Sequence, residues 1–271
     1  MKKLNWLITG DKHAQLEGVL SLLRDNEDDS LAIIILGDAG FNFYLDKKEH
    51  SLKTTFNSTH NYVYCVRGNH EERPENLPDH KLIYDENVKG EVWCDEKRWP
   101  YIRYFQDGGI YEIDGRSVLV LGGAYSVDKY YRLACHYQWF KDEQLSQNEM
   151  KNISDNVRGK SFDIVLSHTC PYSWEPRDLF LSSVDQSTVD DSMELWMDKL
   201  KDEIKYNLWL FGHFHGDRLT RPHVEMMFHD VCKLDDIWDR WNNEKELPAY
   251  TLTWDYDPKY FADDNQWCEK K

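Results

Sequence analysis

The sequence predicts an α/β fold, a two-sheet sandwich flanked by helices, on three observations. Short apolar runs typical of buried strands recur at residues 4–9, 31–36, 62–66, 162–166 and 206–211. Segments with apolar residues at helical spacing lie between several of these runs. A pair of strands with an antiparallel pattern occupies the middle of the chain.

The first part of the chain predicts β-α-β units with right-handed crossovers. The strand at 4–9 is followed by a helix at 15–24, whose apolar residues recur at helical spacing. The strands at 31–36 and 62–66 follow. Residues 76–101 show no clear period and contain two prolines, so we expect an irregular excursion there.

The second part continues the alternation of strands and helices. The expected elements are antiparallel strands at 110–113 and 117–121, a helix at 138–151, a strand at 162–166, a helix at 189–205 and a strand at 206–211. Beyond residue 217, β-like runs at 224–228 and 249–254 flank a charged segment. We expect a single domain over residues 1–271, with a motif core at 4–217 and C-terminal strands and a tail at 218–271.

Composition restricts the class of protein. The chain has 271 residues, of which 41% are hydrophobic and 30% charged, and a formal net charge of −16. No apolar run approaches the roughly 18 residues of a membrane span, and the six cysteines are scattered, so we expect a cytoplasmic protein with free thiols and no membrane partner. The negative charge disfavours broad nonspecific nucleic-acid binding. It does not exclude a phosphorylated substrate, because bound dications create a local positive pocket.

Short polar motifs follow the ends of the predicted strands. They are Gly10-Asp11-Lys12-His13, Gly37-Asp38, Gly68-Asn69-His70-Glu71, Ser167-His168 and Gly212-His213-Phe214-His215. Strand ends are where α/β proteins collect their ligands. Carboxylate, amide and imidazole groups in this number can hold two metal ions with one bridging carboxylate, the arrangement that attacks phosphate esters.

The order of these motifs resembles that of the calcineurin-like metallophosphoesterases, whose pattern is D-x-H, G-D, G-N-H-[DE], H and G-H-x-H. The resemblance extends over residues 4 to about 217. It implies the four-layer αββα fold of that family. It also implies a hydrolase that cleaves a phosphomonoester or phosphodiester with hydroxide activated by a dinuclear metal centre, and the motifs do not separate phosphatase from phosphodiesterase.

The resemblance implies a role for each motif residue. Asp11, His13 and His215 would ligate one metal, Asn69, His168 and His213 the other, and Asp38 would bridge both and so belong to the catalytic residues. His70 would stay off the metals and protonate the leaving oxygen or stabilise the transition state, and Glu71 or an equivalent acid would orient it. The ligand types favour Mn²⁺, with Fe or Zn²⁺ as alternatives, over Ca²⁺.

Three arginines are candidates for substrate binding. Arg67 gives the form Arg-Gly-Asn-His-Glu, which resembles the branch of protein Ser/Thr phosphatases and dinucleoside tetraphosphatases, where this arginine binds phosphate. That branch carries a second arginine after the G-D motif, and this chain lacks it. Arg73 and Arg132 are candidate replacements, with a solvated surface charge as the alternative for each. A glycine turn at 122–123 would bring residues 125–132 near the motif loops.

Other functions on the same fold remain open. The substrate could be nucleotide-like, a nucleic-acid end or a phosphoprotein, and a nuclease or nucleic-acid-end phosphatase of the same superfamily is one alternative. A non-catalytic scaffold is another, although such proteins lose metal ligands or the histidine that His70 matches here. The sequence assigns no oligomeric state.

Overall fold

Two mixed β-sheets form the framework of the protein in the computed structural model, which describes residues 3–26 and 30–242. The strands are β1 (Asn5–Thr9), β2 (Leu31–Leu36), β3 (Tyr62–Val66), β4 (Lys81–Asp85), β5 (Gly90–Cys94), β6 (Ile102–Phe105), β7 (Ile110–Ile113), β8 (Arg116–Leu121), β9 (Ser161–Ser167), β10 (Lys205–Phe211), β11 (Arg218–Arg221), β12 (Val224–Met226) and β13 (Val231–Lys233). The helices are α1 (Glu17–Arg24), α2 (Lys47–Asn57), α3 (Lys129–Ala134), α4 (Gln147–Val157), α5 (Ser192–Glu203) and α6 (Leu234–Asn242).

The sheet topology brings the strands that carry the motifs side by side. The seven-stranded sheet has the order β13-β1-β2-β3-β6-β5-β4, and the six-stranded sheet has the order β11-β12-β10-β9-β8-β7. Strands β1, β2 and β3 are parallel neighbours, as are β8, β9 and β10. Since parallel strands end at the same edge, each sheet presents its motif loops together.

Alternation along β2 explains how the layers pack. Ile34 and Leu36 point into the core between the two sheets, whereas Ile33 and Ile35 point to the outer face, against α1 and α2. The second sheet does the same: Leu166 faces inward, and Val165 faces α4 and α5. A strand buried on both faces reads as a continuous apolar run, which is why β2 has no polar positions.

The helices begin where their capping residues place them. Asp46 accepts hydrogen bonds from the first backbone amides of α2, and Ser146 with Glu149 forms a capping box at the start of α4. The apolar stripe of α4, which includes Met150 and Val157, then covers the second sheet. The result is four layers, helix on sheet on sheet on helix, as the sequence predicted.

The hairpin of β4 and β5 corrects the irregular excursion expected at 76–101. These two antiparallel strands extend the edge of the first sheet. Only Asp85 is buried in the edge strand β4, so the strand lacks the apolar alternation by which a strand is recognised. The helix expected at 138–151 begins only at Gln147, after the capping box, and α2, α3 and α6 were not predicted. The β-like run at 249–254 lies outside the described residues.

The described helices include none that is both long enough and apolar enough to cross a membrane. The expected cytoplasmic location and the single-domain boundaries stay predictions.

Candidate metal centre

The motif side chains of both sheets meet at one place. Loops after β1, β2 and β3 supply them from the first sheet, and loops after β9 and β10 supply them from the second. The groups whose ligand atoms lie within 4.8 Å of one another are Asp11 with His168 and His213, Asp11 with His13 and His215, and His13 with Asp38 and His70. The cluster is therefore shared by the two sheets.

One part of the cluster surrounds Asp11. The Nε2 atoms of His13 and His215 are 2.9 Å apart. Asp11 Oδ2 lies 3.5 Å from His215 Nε2 and 4.0 Å from His13 Nε2. These three side chains are the ones that the sequence assigns to one metal.

The other part surrounds Asp38. Its Oδ2 atom lies 3.5 Å from His168 Nε2 and 3.9 Å from both His13 Nε2 and His70 Nε2. Asn69 Oδ1 lies 2.8 Å from His168 Nε2. The carboxylate of Asp38 thus faces imidazoles on both sides of the cluster, which is the position expected of a bridging ligand.

Backbone amides fix the orientation of the two carboxylates. His213 N donates to Asp11 Oδ1 over 2.7 Å, and His70 N donates to Asp38 Oδ1 over 2.8 Å. The second oxygen of each is thereby left facing the imidazoles. Asp11 Oδ2 is buried without a hydrogen-bond partner among the described residues. Since a buried carboxylate oxygen needs a partner or a metal, this orphaned atom among imidazole nitrogens fits a divalent cation.

Unusual backbone conformations build these loops. His13, Asp38, His213 and His215 all have positive φ values, of 44°, 47°, 69° and 51°. Side-chain-bearing residues avoid this region, and strain of this kind is characteristic of functional sites. Gly37 shows how tight the packing is, because a Cβ atom there would lie 1.9 Å from His168 Nδ1.

Burial and mutual charge set the protonation states. Burial alone would raise the pKa of Asp11, but His168 and His215 lower it to about 2. The pKa of Asp38 is likewise lowered well below its usual value, because His70 and His168 outweigh burial. Burial lowers the pKa of His213 to about 3. Ionised carboxylates beside a neutral imidazole can donate lone pairs to a cation.

A hydrogen-bonded chain lies behind Asn69. Its Nδ2 donates to Ser126 Oγ over 2.9 Å, and Ser126 Oγ donates to Glu143 Oε2 over 2.5 Å. Ser126 N and Trp139 Nε1 also donate to Glu143, over 3.1 and 2.9 Å. Occupying Nδ2 in this way fixes the amide with Oδ1 toward the cluster. Ser126 and Glu143 were not singled out from the sequence, although Ser126 lies in the segment expected near the motif loops.

Glu71 has partners other than His70. Its carboxylate accepts hydrogen bonds from Gly40 N at 3.2 Å, Gly68 N at 3.0 Å and the Tyr104 hydroxyl at 3.0 Å. It therefore ties two motif loops together, in place of the expected contact with the His70 imidazole. Burial and the nearby Asp38 raise the pKa of Glu71 to about 7.

The three arginines differ in position. Arg67 is 1% exposed, and its guanidinium binds Asp107 and the Glu143 carbonyl oxygen. Arg73 is also buried and binds Glu149 and two backbone carbonyl groups. Both are thus engaged by protein acceptors.

Arg132 lies beside His70. Its Nε atom donates to Asp128 over 2.7 Å, and its guanidinium lies 5.6 Å from the centre of the Phe43 ring. Burial lowers the pKa of His70 well below its usual value, Asp38 opposes this, and the charge of Arg132 adds to the lowering. The structure therefore brings Arg132 to the cluster, as the sequence suggested.

Comparison with known proteins agrees with this architecture. A family model described as calcineurin-like phosphoesterase matches residues 4–217. The chain belongs to this calcineurin-like phosphoesterase family. It is a hydrolase that acts on phosphoester bonds, and members of the family use divalent metal ions.

Solved structures to which the chain is similar share little sequence with it. A protein of Thermus thermophilus, TT1561, is 14% identical, over 87% of this chain and 96% of that one, with a TM-score of 0.44. A phosphopantetheinyl hydrolase from Mycobacterium tuberculosis is 12% identical, over 96% and 98%, with a TM-score of 0.44. A protein serine/threonine phosphatase from Saccharomyces cerevisiae is 14% identical, over 84% and 68%, with a TM-score of 0.32. No curated protein matched the chain in the sequence comparison.

Proposed function

We propose that this chain hydrolyses a phosphomonoester or phosphodiester with two divalent metal ions held between its sheets. The observation that carries the proposal is the position of Asp38. Its free carboxylate oxygen faces His168 on one side and His13 on the other, at 3.5 and 3.9 Å. A carboxylate between two sets of imidazoles suits a ligand shared by two cations, since it offers two oxygens and a compensating charge.

The order of the family's motifs divides the remaining ligands between the two ions. Asp11, His13 and His215 would hold one ion with Asp38, and Asn69, His168 and His213 would hold the other with Asp38. Nitrogen and oxygen donors of this kind suit Mn²⁺, with Fe or Zn²⁺ as alternatives. When bound, such ions supply Lewis acidity toward the phosphoryl oxygens and lower the pKa of water.

His70 is proposed to protonate the leaving oxygen or to stabilise the transition state. Its backbone amide donates to Asp38 Oδ1, so the carboxylate that would hold the metals also positions His70. Its Nε2 atom faces Asp38 Oδ2 at 3.9 Å; His70 belongs to the group with His13 and Asp38 and lies outside the two groups around Asp11. An imidazole at the margin of the cluster can contact the substrate.

Arg132 is the arginine that we propose binds the substrate. Its guanidinium binds Asp128 through Nε and lies against the Phe43 ring, on the His70 side of the cluster. The guanidinium groups of Arg67 and Arg73 bind carboxylates and backbone carbonyl groups of the protein, and we propose that these two arginines hold the loops. A planar guanidinium matches the oxygens of a phosphoryl group.

Metal-stimulated turnover tests this function. We would follow hydrolysis of nitrophenyl phosphate and bis(nitrophenyl) phosphate with Mn²⁺, with a chelator, and in Asp38→Asn. Asp163→Asn is the matched control, because Asp163 accepts hydrogen bonds from Ser117 at the opposite end of β8. Turnover should disappear with chelator and in Asp38→Asn but persist in Asp163→Asn. Metal binding without turnover of either ester would favour the scaffold alternative.

A further inference from the structure

The position of His70 indicates where the leaving group lies, provided that the proposed phosphoesterase function holds. A residue that assists departure of the leaving oxygen must contact that oxygen, so the rest of the leaving group extends past His70, away from the metal ligands. The residues beyond His70 therefore determine which esters fit.

Aromatic rings form the surface beyond His70. The Phe43 ring meets the His70 ring edge-to-face, with their centres 6.3 Å apart. Phe43 also contacts Tyr44 at 4.7 Å and Phe140 at 6.4 Å between ring centres. Phe140 is buried and supports Phe43 from behind, whereas Phe43 is half-buried and Tyr44 is 56% exposed. A supported, partly open ring is thus held against the proposed acid.

Arg132 completes this surface. Its guanidinium is a second planar group, placed 5.6 Å from the Phe43 ring centre and fixed there by Asp128. Planar guanidinium groups stack on aromatic faces as well as bind phosphate. The preceding Asn42 cannot contribute, because it is fully buried and accepts a hydrogen bond from Lys53 over 2.7 Å.

We propose that Phe43 and Arg132 form a leaving-group subsite for a planar aromatic ring, and specifically for the base of a nucleoside phosphate. Every nucleobase has a π face that stacks on aromatic side chains and guanidinium planes. An aliphatic leaving group would cover the same surface without stacking. The aromatic pair on the other side of the cluster is different, because Phe180 and Phe214 are stacked on each other at 6.2 Å and 15° beside His213.

Two esters with the same linkage provide the test. Adenosine 5′-monophosphate and ribose 5-phosphate share the phosphate and the departing C5 oxygen and differ by the base. We would measure kcat/KM for each on the full chain with Mn²⁺, and inhibition constants against nitrophenyl phosphate if turnover is slow. The nucleotide should be preferred by at least about 5-fold, which is the low end for stacking of one base.

The variants separate stacking from charge. Phe43→Ala should bring the preference close to 1, and Phe43→Trp should retain it. Arg132→Lys should reduce the preference and also lower kcat/KM for both esters, because Arg132 is proposed to bind the phosphoryl group as well. Phe180→Ala is the matched control and should keep the wild-type preference. Equal constants for the two esters in the wild-type chain would overturn the subsite while nitrophenyl phosphate turnover upholds the phosphoesterase function.

A further pair of compounds identifies the source of the ring. Phenylphosphonate and cyclohexylphosphonate are compared as inhibitors, because neither is hydrolysed. The ratio of inhibition constants for the two phosphonates is compared with the preference for adenosine 5′-monophosphate over ribose 5-phosphate. If the phosphonate ratio is the larger, the ring belongs to an aryl ester and the nucleoside assignment is refuted. Absence of turnover of both nitrophenyl phosphate and bis(nitrophenyl) phosphate in the wild-type chain would overturn the proposed function, and the subsite with it.

Discussion

Substitution of Ser126 tests whether the residues behind Asn69 control metal binding. The Ser126 hydroxyl accepts a hydrogen bond from Asn69 Nδ2 over 2.9 Å and donates one to Glu143 over 2.5 Å. Ser126→Ala removes both and leaves the backbone hydrogen bond from Ser126 N to Glu143 in place. The Asn69 amide then loses the contact that keeps its oxygen toward the cluster.

The magnitudes follow from the two lost contacts. A neutral hydrogen bond contributes about 1 kcal/mol and one to a carboxylate about 2, so the free energy of unfolding should fall by roughly 3 kcal/mol. Groups that orient metal ligands typically change metal affinity by about 10- to 100-fold. We expect Ser126→Ala to raise the Kd for Mn²⁺, measured by calorimetry, by a factor within that range. Ser126→Thr should restore part of the lost affinity.

Ser117, a serine of β8, provides the matched control. Ser117 donates to Asp163 Oδ2 over 2.8 Å and accepts from Asp163 N over 2.9 Å, at the end of the strand remote from the motif loops. Ser117→Ala should therefore destabilise the protein by a similar amount and leave the Kd for Mn²⁺ unchanged. If the two variants bound Mn²⁺ equally well, the argument that Ser126 positions Asn69 would be refuted.

Three further predictions concern strain, pH and catalysis. Gly37→Ala should lower the free energy of unfolding by about 3 kcal/mol or more, because the Cβ would meet His168 Nδ1 at 1.9 Å. Gly159→Ala, at a similar φ with no described atom within 4 Å, should lower it by only about 1–2 kcal/mol. Equal losses in chemical denaturation would contradict this reasoning. Burial raises the pKa of Glu194 to about 8, so the folded state holds the proton that the unfolded state releases near pH 4.5. As the pH rises between these two values, the free energy of unfolding should fall by at most about 1.4 kcal/mol per pH unit. Glu194→Gln should remove this pH dependence, which chemical denaturation at each pH would measure. His70→Ala should retain Mn²⁺ binding and lose roughly 10²–10⁴-fold in kcat, and wild-type turnover would exclude His70 from the mechanism.

The elements around the motif loops were predictable because local chemistry determines them. The bounds of β2 and β3 match the predicted runs, since strands buried on both faces leave an unbroken apolar signature. The motif side chains were expected together because the ends of parallel strands meet, and the structure brings them together. Their individual roles in metal binding and catalysis stay predictions.

Other features depend on contacts between distant parts of the sequence. The arginine of Arg-Gly-Asn-His-Glu reads as a phosphate ligand, yet Arg67 is buried against Asp107, forty positions along the chain. Glu143 reaches Asn69 only through Ser126. No local sequence pattern predicts such contacts, because the packing of the two sheets determines which residues meet. The β4–β5 hairpin was missed for a related reason, since its exposed edge carries little apolar periodicity.

Both sheets contribute side chains to the cluster, and this links metal binding to the assembly of the fold. Asp11, after a strand of the first sheet, accepts a hydrogen bond from His213 of the second, and His168 of the second lies 2.7 Å from the Leu36 carbonyl oxygen of the first. A cation held by ligands from both sheets binds only when the sheets are docked. Its binding free energy therefore adds to the stability of the docked state, as RT ln(1 + [L]/Kd) for a ligand that binds the native form. The midpoint of thermal unfolding then becomes a measure of metal occupancy that requires no substrate.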